Sequence, residues 1–347
     1  MPGSPLVSLL IPTYNNGRTV GESIESCLRQ TFKDIEILIY DEASRDQTRE
    51  VISAYAAKDS RIRIMTSDSN SGPLRAWRKL LHEARGRYCT FVWSDDLILP
   101  RFVETLVGML QDHPKDLLAG CNAYRYYLPD DASAPIEPAN LDHPNPKWEL
   151  LNDPYPTSRL KGDAYALGIF AKIFPVTQMC NLFVTTAARE VFDHYIDIPN
   201  PYGFDYSRLA YGNDVAFLSE FGLRSGELMQ VGDPLVVARS TAGSLTERLI
   251  HTNRWQYWLQ YSYAFYAGWS QCRQLSPRMN ALIAAAEDRV HFCDFFYSLK
   301  KRRWPRAGNP FKAVRAAWFI LREDRHVKKT ASPASMEDWL QRQGPEG

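Results

Sequence analysis

Short apolar runs that end abruptly in polar, turn-forming residues recur through the first hundred positions of the chain. The run 7–11 stops at Pro12-Thr13-Tyr14-Asn15-Asn16-Gly17. The run 35–40 stops at Asp41-Glu42-Ala43-Ser44-Arg45-Asp46, and the run 88–93 at Ser94-Asp95-Asp96. Apolar runs bounded in this way predict strands buried on both faces. Between them the period changes to helical: Ile24, Cys27 and Leu28 share one face of a helix predicted over 19–30. Further helices are predicted at 48–58 and 73–84, with another strand at 62–65. Alternation at about 30 residues per unit predicts βαβ units and a parallel sheet. The strand ends at 12–16, 41–46 and 94–96 then fall on one edge, where open α/β sheets bind ligands.

Beyond residue 125 the pattern breaks. Pro129, Pro135, Pro138, Pro144, Pro146, Pro154 and Pro156 punctuate a stretch read as a long loop, from 125 to 160. Loops of that length are lids, binding loops or disordered segments, with a simple surface insertion as the competing explanation. A strand is expected at 181–184, a helix from Ala187, a helix at 214–221 and a strand at 235–239. From about 250 to about 325 the chain reads as helical, and 330–347 as a polar, frayed end.

The chain of 347 residues is 45% hydrophobic and 23% charged, as in soluble globular proteins. Its formal charge of +1 gives no reason to expect nucleic acid as a partner. Cys27, Cys89, Cys121, Cys180, Cys272 and Cys293 are scattered, with no C-x-x-C pair to suggest zinc. Without a recognisable signal peptide they read as reduced thiols of a cytoplasmic protein. No apolar stretch is long enough to span a bilayer.

The adjacent acids Asp95 and Asp96 carry the most chemistry. Two carboxylates at a strand end repel unless a cation or hydrogen-bond donors share their charge. Hard oxygen ligands of this kind suit Mg²⁺ or Mn²⁺ holding a phosphate. A helix cap is the competing explanation.

Six segments in order carry a resemblance: 7–15 (VSLLIPTYN), 30–46 (QTFKDIEILIYDEASRD), Asn70-Ser71-Gly72 with Ala76, Ser94-Asp95-Asp96, Gly212-Asn213-Asp214, and 239–246 (RSTAGSLT). Together they resemble the inverting, GT-A-fold nucleotide-sugar glycosyltransferases of family 2, over about residues 5 to 250. The resemblance implies a Rossmann-like α/β domain at 1–250, with a mostly parallel sheet flanked by helices and a helical C-terminal extension at 251–347. It implies transfer of a sugar, with inversion, from a nucleotide-diphosphate donor to a hydroxyl of a saccharide or lipid-linked saccharide, in surface polysaccharide synthesis. Uridine is the favoured base.

On these residues the family's roles make physical sense. Tyr14 can stack on a base, while Pro12 and Asn15 offer backbone groups beside it. Asp41 or Glu42 can accept a base N–H, and Arg75 or Arg78 can reach phosphate oxygens. Asp95 would sit near the ribose or metal, and Asp96 would ligate Mn²⁺ or Mg²⁺ bridging the diphosphate. Asp214 is the candidate base, deprotonating the incoming hydroxyl; a helix cap is its structural alternative. Arg239 and Ser244 would contact the diphosphate as a loop closes, and Gln178 and Asn181 would face the acceptor. Departures are Glu42, Trp93 and Asn213, each where relatives carry an Asp or another acid, and Thr241 where many carry a metal-binding His. His251 is a candidate substitute.

The aromatic run 255–269 reads as a helix packed on the catalytic domain, or as a subunit or acceptor contact. A basic cluster at 300–306 precedes an amphipathic, Trp-containing segment at 311–322, which reads equally as a membrane-surface anchor at the inner face of the cell membrane or as a solvated basic face. A nucleotidyltransferase is disfavoured because Pro12 to Gly17 lacks a Gly- and Lys/Arg-rich phosphate loop. A nucleotide-sugar-binding protein of the same fold, without transfer activity, is the competing class.

Overall fold

The computed structural model describes residues 4–128, 141, 145–170, 172–195, 212–240, 245–269 and 277–300. Ten strands form one sheet: β1 Val7–Thr13, β2 Ile35–Glu42, β3 Ile62–Ser67, β4 Tyr88–Phe91, β5 Leu97–Ile98, β6 Leu118–Tyr127, β7 Glu149–Leu150, β8 Ser158–Lys161, β9 Asn181–Val184 and β10 Glu227–Ser240. Their spatial order is β3-β2-β1-β4-β9-β6-β10-β5, with β7 beside β6 and β8 beside β10. The pairs β1–β2, β1–β4, β2–β3 and β6–β10 are parallel. β9 runs antiparallel to both β4 and β6, so the sheet is mixed across its middle.

The helices are α1 Val20–Leu28, α2 Thr48–Ala56, α3 Pro73–Glu83, α4 Phe102–Asp112, α5 Gly162–Phe170, α6 Thr185–Tyr195, α7 Asn213–Ser225, α8 Leu245–Trp269 and α9 Pro277–Lys300. They cover both sheet faces, which explains why the strands read as unbroken apolar runs. Alternation along a strand sorts the core into two layers. Leu9, Ile11, Ile37 and Ile39 point to the side holding α1, α2 and α4. Leu10 and Leu38 point to the side holding α3, α5, α6 and α7, onto which Tyr261 and Phe265 of α8 also pack. Leu10 is fully buried, and truncating such a side chain to Ala costs about 2–5 kcal/mol.

The predicted α/β alternation holds through β4. The expected loop at 125–160 is overturned in part: β6 continues to Tyr127, β7 forms at Glu149–Leu150 and β8 begins at Ser158. The prolines fall between these strands in the sequence and not within them, so β7 still pairs with β6 and β8 with β10. Residues 129–140 and 142–144 lie outside the described residues. β10 is far longer than the expected 235–239. Its register shifts between Val231 and Pro234 and again between Pro234 and Val236, so the strand passes Gly232-Asp233-Pro234 as an irregularity. α8 runs through residue 250. The expected helical stretch after 300, the basic cluster from 301 onward, Ser244 and Thr241 lie outside the described residues, as does Cys272. The other five cysteines are free and buried.

Candidate active site

The ends of β1, β2 and β4 meet on one edge and are tied by side chains. Asn16 Nδ2 donates to Ser94 Oγ at 2.5 Å, and Thr19 Oγ1 donates to the Ser94 carbonyl at 2.9 Å. The Asn15 N–H donates to Ser44 Oγ, and Asn15 Oδ1 accepts from the Arg45 N–H, each at 2.8 Å. Asn15 and Ala43 both adopt the left-handed region, with φ of 53° and 61°. Such conformations carry strain in residues with a Cβ and concentrate at ligand sites.

Around this edge the expected donor-site residues are distributed unevenly. Tyr14 is 44% exposed just past β1, free to offer a ring face. Pro12 lies within β1 opposite Tyr40. Asp41 is buried; its Oδ2 accepts from Arg49 Nε at 2.7 Å. Glu42 Oε1 accepts from Ser71 Oγ at 2.6 Å. A carboxylate has about four acceptor directions, so each retains capacity for a base N–H. Arg75 is exposed on α3, whereas Arg78 pairs with Asp193 at 2.7 Å, away from the strand ends.

The acid pair follows β4 directly. Asp96 is buried, and Asp96 Oδ1 accepts from the Arg239 N–H at 2.6 Å. Burial first, and then the neighbouring Asp95 charge, hold the Asp96 carboxyl well above the usual carboxylate range. Burial also raises Asp95, with the Arg239 charge pulling the other way. The buried Arg239 guanidinium bonds the Asp95 carbonyl and Glu22 Oε2, so β10 closes over the pair. α4 is capped at Arg101, which removes the helix-cap explanation for Asp95 and Asp96. The donor set fits Mg²⁺ or Mn²⁺ in kind, being hard oxygen, but is incomplete: among the described residues no three His, Cys, Asp or Glu side chains gather to hold a metal. A diphosphate would have to supply the remaining ligands.

Asp214 stands in the first turn of α7. The N-cap is Gly212, with φ of 77° and no side-chain cap, so Asp214 does not serve as the cap. Asp214 keeps partial exposure, yet burial pushes its carboxyl up to about 7. The Gln178 amide counters part of that shift as a hydrogen-bonding neighbour, although neither Gln178 Nε2 nor Oε1 has a partner at strict hydrogen-bond geometry. Gln178 is fully buried on the 3₁₀ turn Gln178–Cys180. Asn181, expected beside it on the acceptor, is engaged internally: its Oδ1 accepts from Tyr165 Oη at 2.9 Å and its Nδ2 donates to the Thr177 carbonyl at 3.1 Å.

Residues 8–170 match the family description "Glycosyl transferase family 2". The match spans 163 of the chain's 347 residues, and the likeness to family 2 glycosyl transferases rests on that stretch. The chain is 34% identical over 123 residues to the glycosyltransferase GlyG of Streptococcus pneumoniae serotype 4, covering 35% of this chain and 40% of GlyG. It is 35% identical over 105 residues to the UDP-Glc:alpha-D-GlcNAc-diphosphoundecaprenol beta-1,3-glucosyltransferase WfgD of Escherichia coli, covering 30% of this chain and 41% of WfgD. These alignments span about two fifths of the relatives' own length. Among solved structures, S. aureus TarS 1-349 in complex with UDP-GlcNAc superposes with a TM-score of 0.55 at 14% identity, covering 85% of this chain and 74% of TarS. The mannosyltransferase PcManGT of Pyrobaculum calidifontis, in complex with GDP-Man and Mn²⁺, gives 0.52 at 16% identity, covering 98% of this chain and 80% of PcManGT. At such identities these likenesses establish the GT-A fold alone.

The strand-end edge also uses residues to which the sequence assigned no individual role. Asn16, Thr19 and Ser94 tie the strand ends, and Glu22 holds Arg239. Asn16 belongs to the strand end 12–16 expected on the ligand edge but carried no role of its own, and nothing local marks Glu22 as a partner of a residue 217 positions away. Trp93, where the resemblance implies an acid, stacks on Phe91 with ring centres 5.4 Å apart and lies 4.8 Å from Trp77. Its Nε1 donates to Thr177 Oγ1 at 3.0 Å, beside the turn that carries Gln178. The position therefore packs the layer between the strand-end edge and the Gln178 turn rather than adding charge.

Proposed function

We propose that this protein is an inverting glycosyltransferase that moves a sugar from a nucleoside-diphosphate donor, with UDP the favoured carrier, to a hydroxyl of a saccharide or lipid-linked saccharide. The single observation that supports this most is Asp214. A partly accessible carboxylate with its pKa near 7 is matched to accept a hydroxyl proton near neutral pH. In this reading Asp214 takes the acceptor proton as its oxygen attacks the anomeric carbon, opposite the breaking bond to the diphosphate. Tyr14 stacks on the base, Asp41 or Glu42 accepts its N–H, and Pro12, Asn15 and Asp95 position the nucleoside. Arg75 and Arg239 steady the diphosphate, while Gln178 and Asn181 shape the acceptor side. Asp96 would hold Mn²⁺ or Mg²⁺ together with the diphosphate; the ion supplies charge stabilisation to the leaving group.

The metal complex of PcManGT and the lipid-diphosphate acceptor in WfgD's name support this assignment by analogy, as does the nucleotide-sugar complex of TarS. Residues 1–250 form the proposed catalytic domain and 251–347 the proposed extension, with 300–322 as a membrane-surface contact at the cytoplasmic face. Surface polysaccharide synthesis is the proposed setting. The test is Asp214→Asn: UDP should bind as in the wild type while sugar transfer is lost. Undiminished transfer would remove Asp214 from the mechanism. Tight UDP binding without transfer by the wild type, across a panel of acceptors, would instead favour a nucleotide-sugar-binding protein.

A further inference from the structure

The turn that carries the acid pair exposes an aromatic ring as well as a carboxylate. Val92, Ser94 and Asp96 are buried, whereas Trp93 and Asp95 stay half-buried, so these two side chains are what the segment offers to a ligand. The turn is held firmly. The Asp96 N–H donates to the Trp93 carbonyl at 3.0 Å, and Ser94 accepts from Asn16 at its hydroxyl and from Thr19 at its carbonyl.

The Trp93 ring is fixed as well. Its indole N–H is engaged by Thr177 Oγ1 at 3.0 Å, so the ring has no polar group left for a ligand. The ring centres of Phe91 and Trp77 stand 5.4 Å and 4.8 Å away, and those two are 5.8 Å from each other. Three centres at such distances form a nearly equilateral triangle. Phe91 and Trp77 therefore lie to one side of the Trp93 indole, and the opposite side has no aromatic neighbour among the described residues. What remains is an apolar surface, partly open to solvent, with the polar groups of Asp95 and Thr177 on either hand. Apolar walls with a few placed polar groups are the usual make-up of a small-ligand site.

A pyranose matches such a surface. Its ring faces present C–H groups, and its hydroxyls stand around the rim. Stacking on an aromatic face takes the C–H groups out of water and leaves the rim free for neighbouring polar side chains.

Position decides which sugar it is. In the transferase reading the diphosphate lies at Asp96, and the transferred sugar is joined to it through a single oxygen. That sugar must also face the base. Trp93 links the two places: its carbonyl is tied to Asp96, and its indole is tied to Thr177, which precedes the turn beginning at Gln178, the neighbour of Asp214. The acceptor approaches from the side opposite the diphosphate, farther from Asp96.

We propose that Trp93 is a specificity-determining residue, its open indole face being the floor on which the transferred pyranose of the donor stacks. The proposal rests on the transferase assignment above.

The experiment uses the full chain with Mg²⁺ and calorimetric titration of UDP, UDP-glucose and UDP-N-acetylglucosamine. The quantity read is the ratio of nucleotide-sugar affinity to UDP affinity. In Trp93→Ala and Trp93→Leu this ratio should fall by about fivefold or more for the sugar that binds better, with UDP affinity within about twofold of the wild type. Trp93→Phe keeps a ring face and should hold the ratio within about twofold. A role in packing alone would lower both affinities together and leave the ratio unchanged, which would overturn the proposal. Tryptophan emission of the wild type supplies a check that truncates nothing. One of the nucleotide sugars should change it beyond the change caused by UDP, and Trp93→Phe should remove that difference. Equal emission with UDP and both nucleotide sugars would overturn the proposal even if the alanine and leucine variants fold poorly. Failure of UDP to bind the wild type would overturn the donor-site assignment and this proposal with it, whereas UDP binding with an unchanged ratio overturns the proposal alone. A loss confined to the acceptor KM would assign the ring to the acceptor and likewise overturn it.

Discussion

Asp214 concentrates the residue-scale consequences. Its folded carboxyl titrates near 7 against an ordinary value of 3.8, because burial disfavours the charged form. Transfer catalysed by this base should therefore decline as the pH falls through about 7, in a rate profile taken at saturating donor and metal. Stability has the opposite sign. Between the unfolded and folded values the native state holds a proton that the unfolded chain has lost, so stability falls as the pH rises across that window. The Asp214→Asn variant has no such carboxylate. Its melting temperature should exceed that of the wild type at about pH 8, and the gap should close near pH 4. A gap independent of pH would show that the ionised carboxylate is not what costs stability at this position.

Gly212 and α7 raise a question at the scale of the element. A Cβ at Gly212 would lie 2.8 Å from the Gln260 carbonyl oxygen and 2.9 Å from Tyr261 Cα, on a backbone with φ of 77°. Both strain and contact oppose any side chain there, and both would displace the turn that carries Asp214. Gly212→Ala should cost about 1–3 kcal/mol in denaturant unfolding. It should also lower the turnover rate more than it alters donor KM. Equal stability to the wild type would mean that α8 yields easily at residues 260–261. The elements themselves were unequally legible. β1 to β4 were readable because helices cover both faces of their sheet, leaving unbroken apolar runs. Of β10 only residues 235–239 carry a strand pattern in the sequence, because Gly232-Asp233-Pro234 resembles a turn. Continuous pairing with β6 overrides that local signal, absorbing the interruption as shifts in register.

For the whole molecule, the proposed donor site joins strand ends from the first part of the chain to Arg239 near the end of β10. Nucleotide and metal should therefore stabilise the entire fold. UDP with Mn²⁺ should raise the melting temperature more than either alone, since Asp95 and Asp96 gather too few ligands to hold a metal tightly without a diphosphate. Equal shifts with UDP alone and with UDP plus Mn²⁺ would argue against a bridging metal. At the far end, among the described residues no helix is long and apolar enough to cross a membrane. Neutralising the basic residues 300–303 should weaken binding to anionic vesicles in a sedimentation assay. Unchanged binding would remove the electrostatic argument for a membrane-surface contact.

The alternation of strands and helices, the strand-end position of Asp95 and Asp96, and Asp214 as the acid after Gly212-Asn213 are legible in the chain alone. Each of these is written in neighbouring residues, where periodicity and turn chemistry act locally. Packing locks Arg239 onto Glu22 and the Asp95 carbonyl, turns Arg78 to Asp193, and occupies Asn181 with Tyr165 and Thr177. It also places Gln178 beside Asp214 and Lys172 among the rings of α8. These arrangements depend on side chains brought together from distant parts of the chain, and burial, which gives them their energies and shifts their protonation, exists only once the layers have packed.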